Sequence, residues 1–117
     1  MQHNFKELKI WQKAMNLVIL TYKNTAMLPD EERFGIIQQM KRATVSIPSN
    51  IAEGSGRGSS KDFDRFLNMA VGSLYELETQ YLICEELKFL TDLSETKNLI
   101  SELKMMINAF SEHIKKV

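Results

Sequence analysis

A glycine-rich stretch in the middle of the chain has the composition of a phosphate-binding loop. It runs Glu53-Gly54-Ser55-Gly56-Arg57-Gly58-Ser59-Ser60. A P-loop places four residues between its glycines, continues as Gly-Lys-Ser/Thr and follows a β-strand. In this chain Gly58 is followed by Ser59-Ser60-Lys61, and helical periodicity comes before the loop. We therefore interpret the stretch as a turn between two helices, with a glycine ending the first of them.

Three basic residues at this turn form a candidate anion-binding corner, which is a weaker signal of phosphate binding than a P-loop would be. Arg57 lies in the turn, and Lys61 and Arg65 fall at the start of the next predicted helix. The first backbone amides of a helix lack intrahelical acceptors and lie at the positive end of the helix dipole, which favours phosphate. Asp62 and Asp64 lie beside them in the sequence and weaken this positive field.

No set of side chains has the spacing of a catalytic or metal site. His3 and His113 lie near the termini, without Cys, Asp or Glu at ligand spacing. Glu76 and Glu78 share a helix, but a di-iron bundle also needs Glu-x-x-His on two helices, which the sequence lacks. Cys84 falls on an apolar stripe, so we expect it to be buried and unreactive. The sequence predicts a protein that is not an enzyme and that uses no cofactor or metal.

Composition and charge narrow the class of protein. The 117 residues include 15 Lys or Arg and 15 Asp or Glu, so the formal net charge is zero, which argues against a dedicated polyanion binder. The single cysteine excludes an intrachain disulfide. The longest apolar run, Leu17 to Leu20, is too short to cross a membrane, and no signal-peptide core follows the polar N-terminal residues. We expect a soluble, cytoplasmic protein without membrane contact.

Apolar residues recur at steps of three and four in four segments, which is the spacing of one stripe along an α-helix. The predicted core stripes are Phe5, Leu8, Trp11, Met15, Val18 and Tyr22; Phe34, Ile37, Met40, Thr44, Ile47 and Ile51; Phe63, Phe66, Ala70, Leu74, Leu77, Tyr81 and Cys84; and Leu93, Thr96, Ile100, Leu103, Ile107, Phe110 and Ile114. Ser59 followed by Asp62 fits a capping box. We predict helices at about 4–26, 30–53, 60–89 and 93–115.

Four amphipathic helices with short connections can bury their stripes only against one another. We therefore predict an all-α, single-domain fold over residues 1–117, arranged as an antiparallel up-down-up-down four-helix bundle. Pro48 lies inside the second helix, where it removes a backbone donor and crowds the carbonyl of Thr44. Because the apolar spacing continues through Ile47 and Ile51, we predict a kinked but continuous helix.

The second helix also carries a polar stripe, about 140° from its apolar one. This stripe comprises Gln39, Arg42, Ser46, Asn50 and Glu53. One interpretation is an ordinary solvated face. The other is a second contact surface, which would face a neighbouring subunit or a ligand.

The residues around Pro48 resemble the hallmark of one protein family. The matching strings are Phe5-x-x-Leu8-x-x-Trp11-x-x-Ala14, Pro29-x-Glu31-Glu32-Arg33-Phe34-Gly35, Gln39-x-x-Arg42-Ala43-x-x-Ser46-Ile47-Pro48-x-Asn50-Ile51-Ala52-Glu53-Gly54-x-x-Arg57 and Phe66-Leu67-x-x-Ala70-x-Gly72-Ser73-Leu74-x-Glu76-Leu77-Glu78-Thr79-Gln80. They are similar to the bacterial four-helix bundle proteins encoded in intervening sequences of 23S ribosomal RNA genes. A string that places proline inside a helix seldom arises by chance.

The resemblance implies a closed homopentameric ring of four-helix bundles. The family is similar to the accessory variability determinant proteins of diversity-generating retroelements. It therefore implies binding of nucleic acid, and of a reverse transcriptase-like nucleoprotein, through basic surfaces. On this resemblance the candidate nucleic-acid contacts are Arg42, Arg57, Lys61 and Arg65. The zero net charge of this chain departs from the strongly basic retroelement proteins.

Two functions remain open from the sequence. The first is a homo-oligomeric scaffold that binds RNA or a nucleoprotein partner. The second is a protein-binding adaptor, in which the polar stripe is a subunit interface or a partner site. The candidate interface residues are Gln39, Ser46, Asn50, Glu53, Gly72 and Glu76.

Overall fold

The computed structural model of the chain describes residues 3–116, and these form four α-helices without a β-strand. The helices are α1 (Lys9–Thr25), α2 (Ile36–Ser55), α3 (Ser60–Glu86) and α4 (Ser94–Lys115). The all-α, four-helix prediction is confirmed for this part of the chain. Residues 1, 2 and 117 of the predicted domain lie outside the described residues.

The first two helices begin later than predicted. Leu8 has extended backbone angles (φ −73°, ψ 127°), so a short 3-10 turn at Phe5–Glu7 precedes α1 as a separate element. Asp30–Glu32 form a second 3-10 turn, and Gly35 (φ −107°, ψ −114°) separates it from α2. Periodicity does not detect these breaks, because an interrupted helix can keep the same apolar spacing.

Each helix packs antiparallel against two neighbours. α1 and α3 each pack against α2 and α4, so α1 and α3 occupy opposite corners of the bundle. Side-chain pairs run in opposite order along adjacent helices. These pairs are Met40–Cys84 and Ser46–Ser73 for α2 and α3, Glu85–Lys97 and Glu78–Lys104 for α3 and α4, and Asn24–Thr96 and Lys13–Glu102 for α1 and α4. Along α1 and α2, Tyr22 contacts Lys41 and Trp11 lies near Ala52.

The predicted core stripe is confirmed in α3 and wrong in α1. Every predicted core residue of α3 is buried. In α1 the buried residues are instead Ile10, Ala14, Leu17, Thr21, Asn24 and Thr25. The predicted residues Trp11, Met15 and Val18 are half-buried, and Tyr22 is exposed. The buried side of α1 therefore lies about one residue, or 100°, from the predicted side.

Two predicted core residues in the other helices also lie outside the buried set. Phe34 is 81% exposed, because it lies before Gly35 and outside α2, although the rest of its predicted stripe is buried. Phe110 on α4 is half-buried, with its ring 5.5 Å from that of Phe63. Pro48 lies inside α2, which is helical from Ile36 to Ser55, and the kink at Pro48 stays a prediction.

A buried hydrogen-bond cluster accounts for the rotation of α1. The hydroxyl of Tyr81 on α3 donates to Oγ1 of Thr21 at 2.9 Å and accepts from Nδ2 of Asn24 at 2.9 Å. Nδ2 of Asn24 also donates to Oγ1 of Thr96 on α4 at 3.0 Å. All four side chains are buried, and a buried polar group without a partner costs about 1–3 kcal/mol. In this rotation of α1, Thr21 and Asn24 supply the partners that the buried hydroxyl of Tyr81 needs.

A second tightly packed contact lies where α2 approaches α3. Gly54, the one glycine within α2, packs against two phenylalanines of α3. A Cβ atom at Gly54 would lie 2.7 Å from Cβ of Phe66 and 2.8 Å from Cδ1 of Phe63. Carbon atoms do not approach this closely without displacement of the backbone. Gly54 therefore allows the two helices to meet just before the turn that joins them.

We expect Gly54→Ala to destabilise the protein by about 1–3 kcal/mol, because the added methyl group overpacks the contact with Phe66 and Phe63. The measurement is the free energy of unfolding in urea at one fixed protein concentration. The matched control is Gly58→Ala, since nothing lies within 4 Å of a Cβ at Gly58, and it should change stability by less than about 0.5 kcal/mol. Equal effects of the two changes would contradict the close approach.

We expect Tyr81→Phe to destabilise the protein by about 1–3 kcal/mol, because it removes the partner of Thr21 and one of the two acceptors of Asn24. Thermal and urea unfolding measure the loss. Tyr75→Phe is the control, since Tyr75 is exposed and its hydroxyl makes no hydrogen bond within residues 3–116. If both variants were as stable as the wild type, the cluster would contribute nothing to the orientation of α1.

Candidate nucleic-acid interface and subunit face

The turn between α2 and α3 brings three of the four candidate nucleic-acid contacts together. Ser59 caps α3 by accepting a hydrogen bond from the backbone amide of Asp62 at 3.1 Å, which confirms that half of the predicted capping box. The cap places the carboxylate of Asp62 between Arg57 and Arg65. Nη2 of Arg65 lies 2.9 Å, and Nε of Arg57 lies 3.8 Å, from oxygens of this carboxylate.

The aromatic ring of Phe66 packs against the guanidinium groups of the same two arginines. The guanidinium carbon of Arg57 and that of Arg65 each lie 4.6 Å from the centre of the Phe66 ring. A guanidinium over an aromatic face is attracted by the ring quadrupole. Arg57 also contacts Glu53, with Nη2 3.2 Å from Oε2. The two guanidinium groups are therefore fixed by one ring and two carboxylates.

The local charge of this corner is balanced. Three bases and three acids lie within it, namely Arg57, Lys61, Arg65, Glu53, Asp62 and Asp64. Asp64 accepts a hydrogen bond from Ser111 and lies 3.6 Å from Nζ of Lys115 on α4. Lys61 is exposed, and no carboxylate within residues 3–116 forms an ion pair with it. A phosphate would therefore meet one free lysine and two arginines that already have carboxylate partners.

Arg42, the fourth candidate, lies apart from this corner. It is exposed on α2, about four helical turns before Arg57, which corresponds to about 20 Å along the axis. The structure does not bring it to the same site.

The predicted polar stripe of α2 lies beside α3, and part of it makes contacts within the chain. Oγ of Ser46 lies 2.6 Å from Oγ of Ser73 on α3 and 2.6 Å from the carbonyl oxygen of Ala43. Nδ2 of Asn50 donates to the carbonyl of Ser46 at 2.8 Å. These side chains therefore join α2 to α3 and to its own backbone.

The remaining candidate interface residues are open to solvent. Gln39, Glu53, Gly72 and Glu76 are exposed. Nothing lies within 4 Å of a Cβ position at Gly72, so this glycine does not serve a close approach within the protomer.

An apolar groove that sequence reasoning missed lies between α1 and α2. It has a volume of about 350 Å³, and we call it the α1–α2 groove. Its lining residues are Trp11, Met15, Val18, Val45, Pro48, Ser49 and Ala52. The signal in the sequence was the presence of two apolar stripes on the first helix, of which only one can face the core.

Two buried titratable groups are held in their neutral forms. Burial raises the pKa of the Cys84 thiol, and the charge of Glu32 adds to the shift. Burial also raises the pKa of the Tyr81 phenol above its ordinary value, so the hydroxyl keeps the proton that it donates to Thr21. The prediction that Cys84 is buried is confirmed.

Residues 3–116 contain neither a cluster of metal-ligating side chains nor a helix that could span a membrane. No group of three or more His, Cys, Asp and Glu side chains there is placed to hold a metal ion. None of the helices in this part of the chain combines the length and the apolarity needed to span a membrane.

Comparison with known proteins gives one family match over most of the chain. The family model described as 23S rRNA-intervening sequence protein matches residues 6–109. No curated protein matches the chain. The family predicted from the residues around Pro48 is therefore confirmed, and its match extends into the last helix.

We expect Asp62→Asn to strengthen binding of a polyanion, because it removes the carboxylate that pairs with Arg57 and Arg65. The measurement is the salt concentration that elutes the protein from heparin. Asp92→Asn is the control, because Asp92 is exposed at the other end of the bundle and, within residues 3–116, hydrogen-bonds only to Ser94. Later elution of the Asp62 variant alone supports masking of the arginines, and equal elution of both variants contradicts it.

Proposed function

The chain belongs to the 23S rRNA-intervening sequence protein family, and on that premise we propose that it acts as a non-enzymatic, homo-oligomeric scaffold that binds RNA or a nucleoprotein partner. The observation that carries the proposal is the apolar surface that one copy leaves open, centred on the α1–α2 groove. Soluble monomers rarely expose a large contiguous apolar patch, and such patches mark interaction sites.

The assembly that we propose is a closed ring, with five copies as the resemblance implies. Exposed apolar residues lie on more than one side of the protomer, including Ile19 on α1, Val45 on α2 and Leu82 on α3. A pair of copies related by a two-fold axis buries one patch on each. A cyclic assembly buries two different patches on every copy and leaves no open end.

Ring symmetry supports RNA binding by a chain without net charge. A single corner offers Lys61 and two partly neutralised arginines, which is a weak phosphate site. In a ring the same corner is repeated on one rim, so that one RNA strand can contact several corners at once. The second contact then forms at a high effective concentration, and the avidity exceeds the affinity of each corner.

A protein-binding adaptor is the second candidate. The pairing of Arg57 with Glu53 and Asp62 favours it, because these ion pairs lower the positive charge that RNA would meet. In this case the exposed residues Gln39, Gly72 and Glu76 would contact a protein partner instead.

The proposal is tested first by mass and then by RNA binding. Light scattering during gel filtration should give a multiple of the 13.5 kDa chain mass. The intact oligomer should bind labelled single-stranded RNA at low salt and lose affinity steeply as salt rises. Arg57→Ala combined with Lys61→Ala should weaken binding at low salt about tenfold or more, because each ring would lose two cations per copy.

The control variant combines Arg33→Ala with Lys97→Ala, which removes two exposed cations at the opposite end of the bundle. It should bind RNA within about twofold of the wild type if the α2–α3 turn is the site. An oligomer that binds no RNA at low salt would remove the RNA function and leave the adaptor. A monomeric mass would remove the scaffold in either form.

A further inference from the structure

Two surfaces of the bundle expose large apolar side chains. The first is the α1–α2 groove, which continues along α1 through Ile19 and Tyr22, 54% and 43% exposed. The second runs along α3, and we call it the α3 outer face. It comprises Met69, Tyr75, Glu76, Thr79, Leu82 and Ile83. Its four large apolar residues are between 42% and 57% exposed.

Most of the unpaired charges beside the α1–α2 groove are positive; the exceptions are Glu7, one helical turn before Trp11, and Glu95, which lies near Ile19 and Lys23. Residues 8–29 contain three lysines and no Asp or Glu. Lys13 pairs with Glu102 at 2.6 Å. Lys9 and Lys23 are exposed, and Lys41 lies over the ring of Tyr22 at 4.8 Å. Within residues 3–116 these last three lysines form no ion pair.

The unpaired charges beside the α3 outer face are negative, although Nζ of Lys104, which pairs with Glu78, lies 4.5 Å from the centre of the Tyr75 ring. Residues 66–87 contain four glutamates and no Lys or Arg. Glu78 and Glu85 pair with lysines of α4 at 3.0 and 2.9 Å. Glu76 and Glu86 are exposed, and within the described residues neither has a cationic partner.

From these surfaces we infer that copies of this chain assemble head to tail, with the α3 outer face of one copy seated on the α1–α2 groove of the next. Both surfaces are apolar at the centre, and most of their unpaired charges have opposite sign, so contact replaces water with apolar area and with new ion pairs. The inference rests on the proposed homo-oligomer and adds which surfaces pair.

The position of the two surfaces excludes their use in one two-fold contact. α1 and α3 occupy opposite corners of the bundle. One neighbouring copy therefore cannot contact both the α1–α2 groove and the α3 outer face of the same protomer. Pairing groove with groove would bring Lys9 and Lys23 of two copies close to each other, which is unfavourable. Pairing unlike surfaces gives a heterologous contact, which forms a ring when the rotation closes.

Two such contacts would occupy a modest share of the surface of one copy. A standard interface buries about 800 Å² on each partner, and the accessible surface of the described chain is 6968 Å². Two contacts would therefore cover about a quarter of the surface. The corner around Arg57 and Lys61 lies outside both surfaces and stays open for a further partner.

The first experiment uses one blocking variant for each surface. Val45→Glu places a negative charge in the groove, and Ile83→Glu places a negative charge on the α3 outer face, so that the two blocked surfaces also repel each other; both positions are 42% exposed. Each variant alone should run as a monomer or a short fragment of the assembly in light scattering. An equimolar mixture should stop at a 1:1 heterodimer, because only one intact groove and one intact α3 outer face then remain to pair.

Met105→Glu is the matched control for both, because Met105 is 72% exposed on α4 and lies on neither surface. It should keep the mass of the wild type. Circular dichroism of every variant should give the helical content of the wild type.

The outcomes separate this inference from the proposed function. An oligomeric wild type whose mass is unchanged by both blocking variants overturns the pairing and leaves the scaffold proposal standing. So does a mixture that forms no heterodimer. A wild type that is monomeric at all concentrations overturns the scaffold proposal and the pairing together.

A second pair of variants keeps the test valid if a blocking variant fails to fold. Lys23→Glu and Glu76→Lys change only exposed side chains, so neither disturbs the core. Each should raise the dissociation constant of the assembly about tenfold, which corresponds to about 1.4 kcal/mol per contact. Rescue in a chain that carries both changes supports the pairing. An unchanged dissociation constant in both single variants overturns it.

Discussion

The rotation of α1 about its own axis depends on a small buried hydrogen-bond cluster centred on Tyr81. Its hydroxyl must satisfy Thr21 and Asn24 of α1, and Asn24 in turn reaches α4. The buried hydroxyl of Tyr81 needs partners, and Thr21 and Asn24 supply them only when α1 turns these two residues inward. The aromatic and methionine side chains of α1 are then left at the surface, where they line the α1–α2 groove.

The contact of α2 with α3 explains why the positive charge of the candidate RNA site is partly neutralised. Small residues let these helices approach closely, with Ser46 bonded to Ser73 and Gly54 against Phe66. The turn between them is consequently short and is anchored by the Ser59 cap, which places the carboxylate of Asp62 beside the arginines. The fold thus pairs Arg57 and Arg65 with the carboxylate of Asp62, whereas Lys61 forms no ion pair within residues 3–116.

Zero net charge conceals an uneven distribution over the surface. Among residues 3–116, Lys9, Lys23 and Lys41 border the groove of α1 and α2 without carboxylate partners, and Glu76 and Glu86 border the outer face of α3 without cationic partners. Opposite charges on separate faces of one molecule favour contacts between copies, and they keep the total at zero. In this respect the balance of acids and bases is consistent with self-association, whereas a polyanion binder normally carries an excess of Lys and Arg.

Local residue patterns were enough to predict the four helices, the buried stripe of α3, the Ser59 cap and the family, because each depends on residues that are close together in the chain. It did not determine which of two apolar stripes of α1 is buried, where the first two helices begin, or that Arg57 pairs with Asp62. Periodicity specifies the spacing of residues along a helix but not the rotation of that helix about its axis. The rotation is decided by partners on other helices, here Tyr81 and Thr96, and such partners are identified only once the chain is folded.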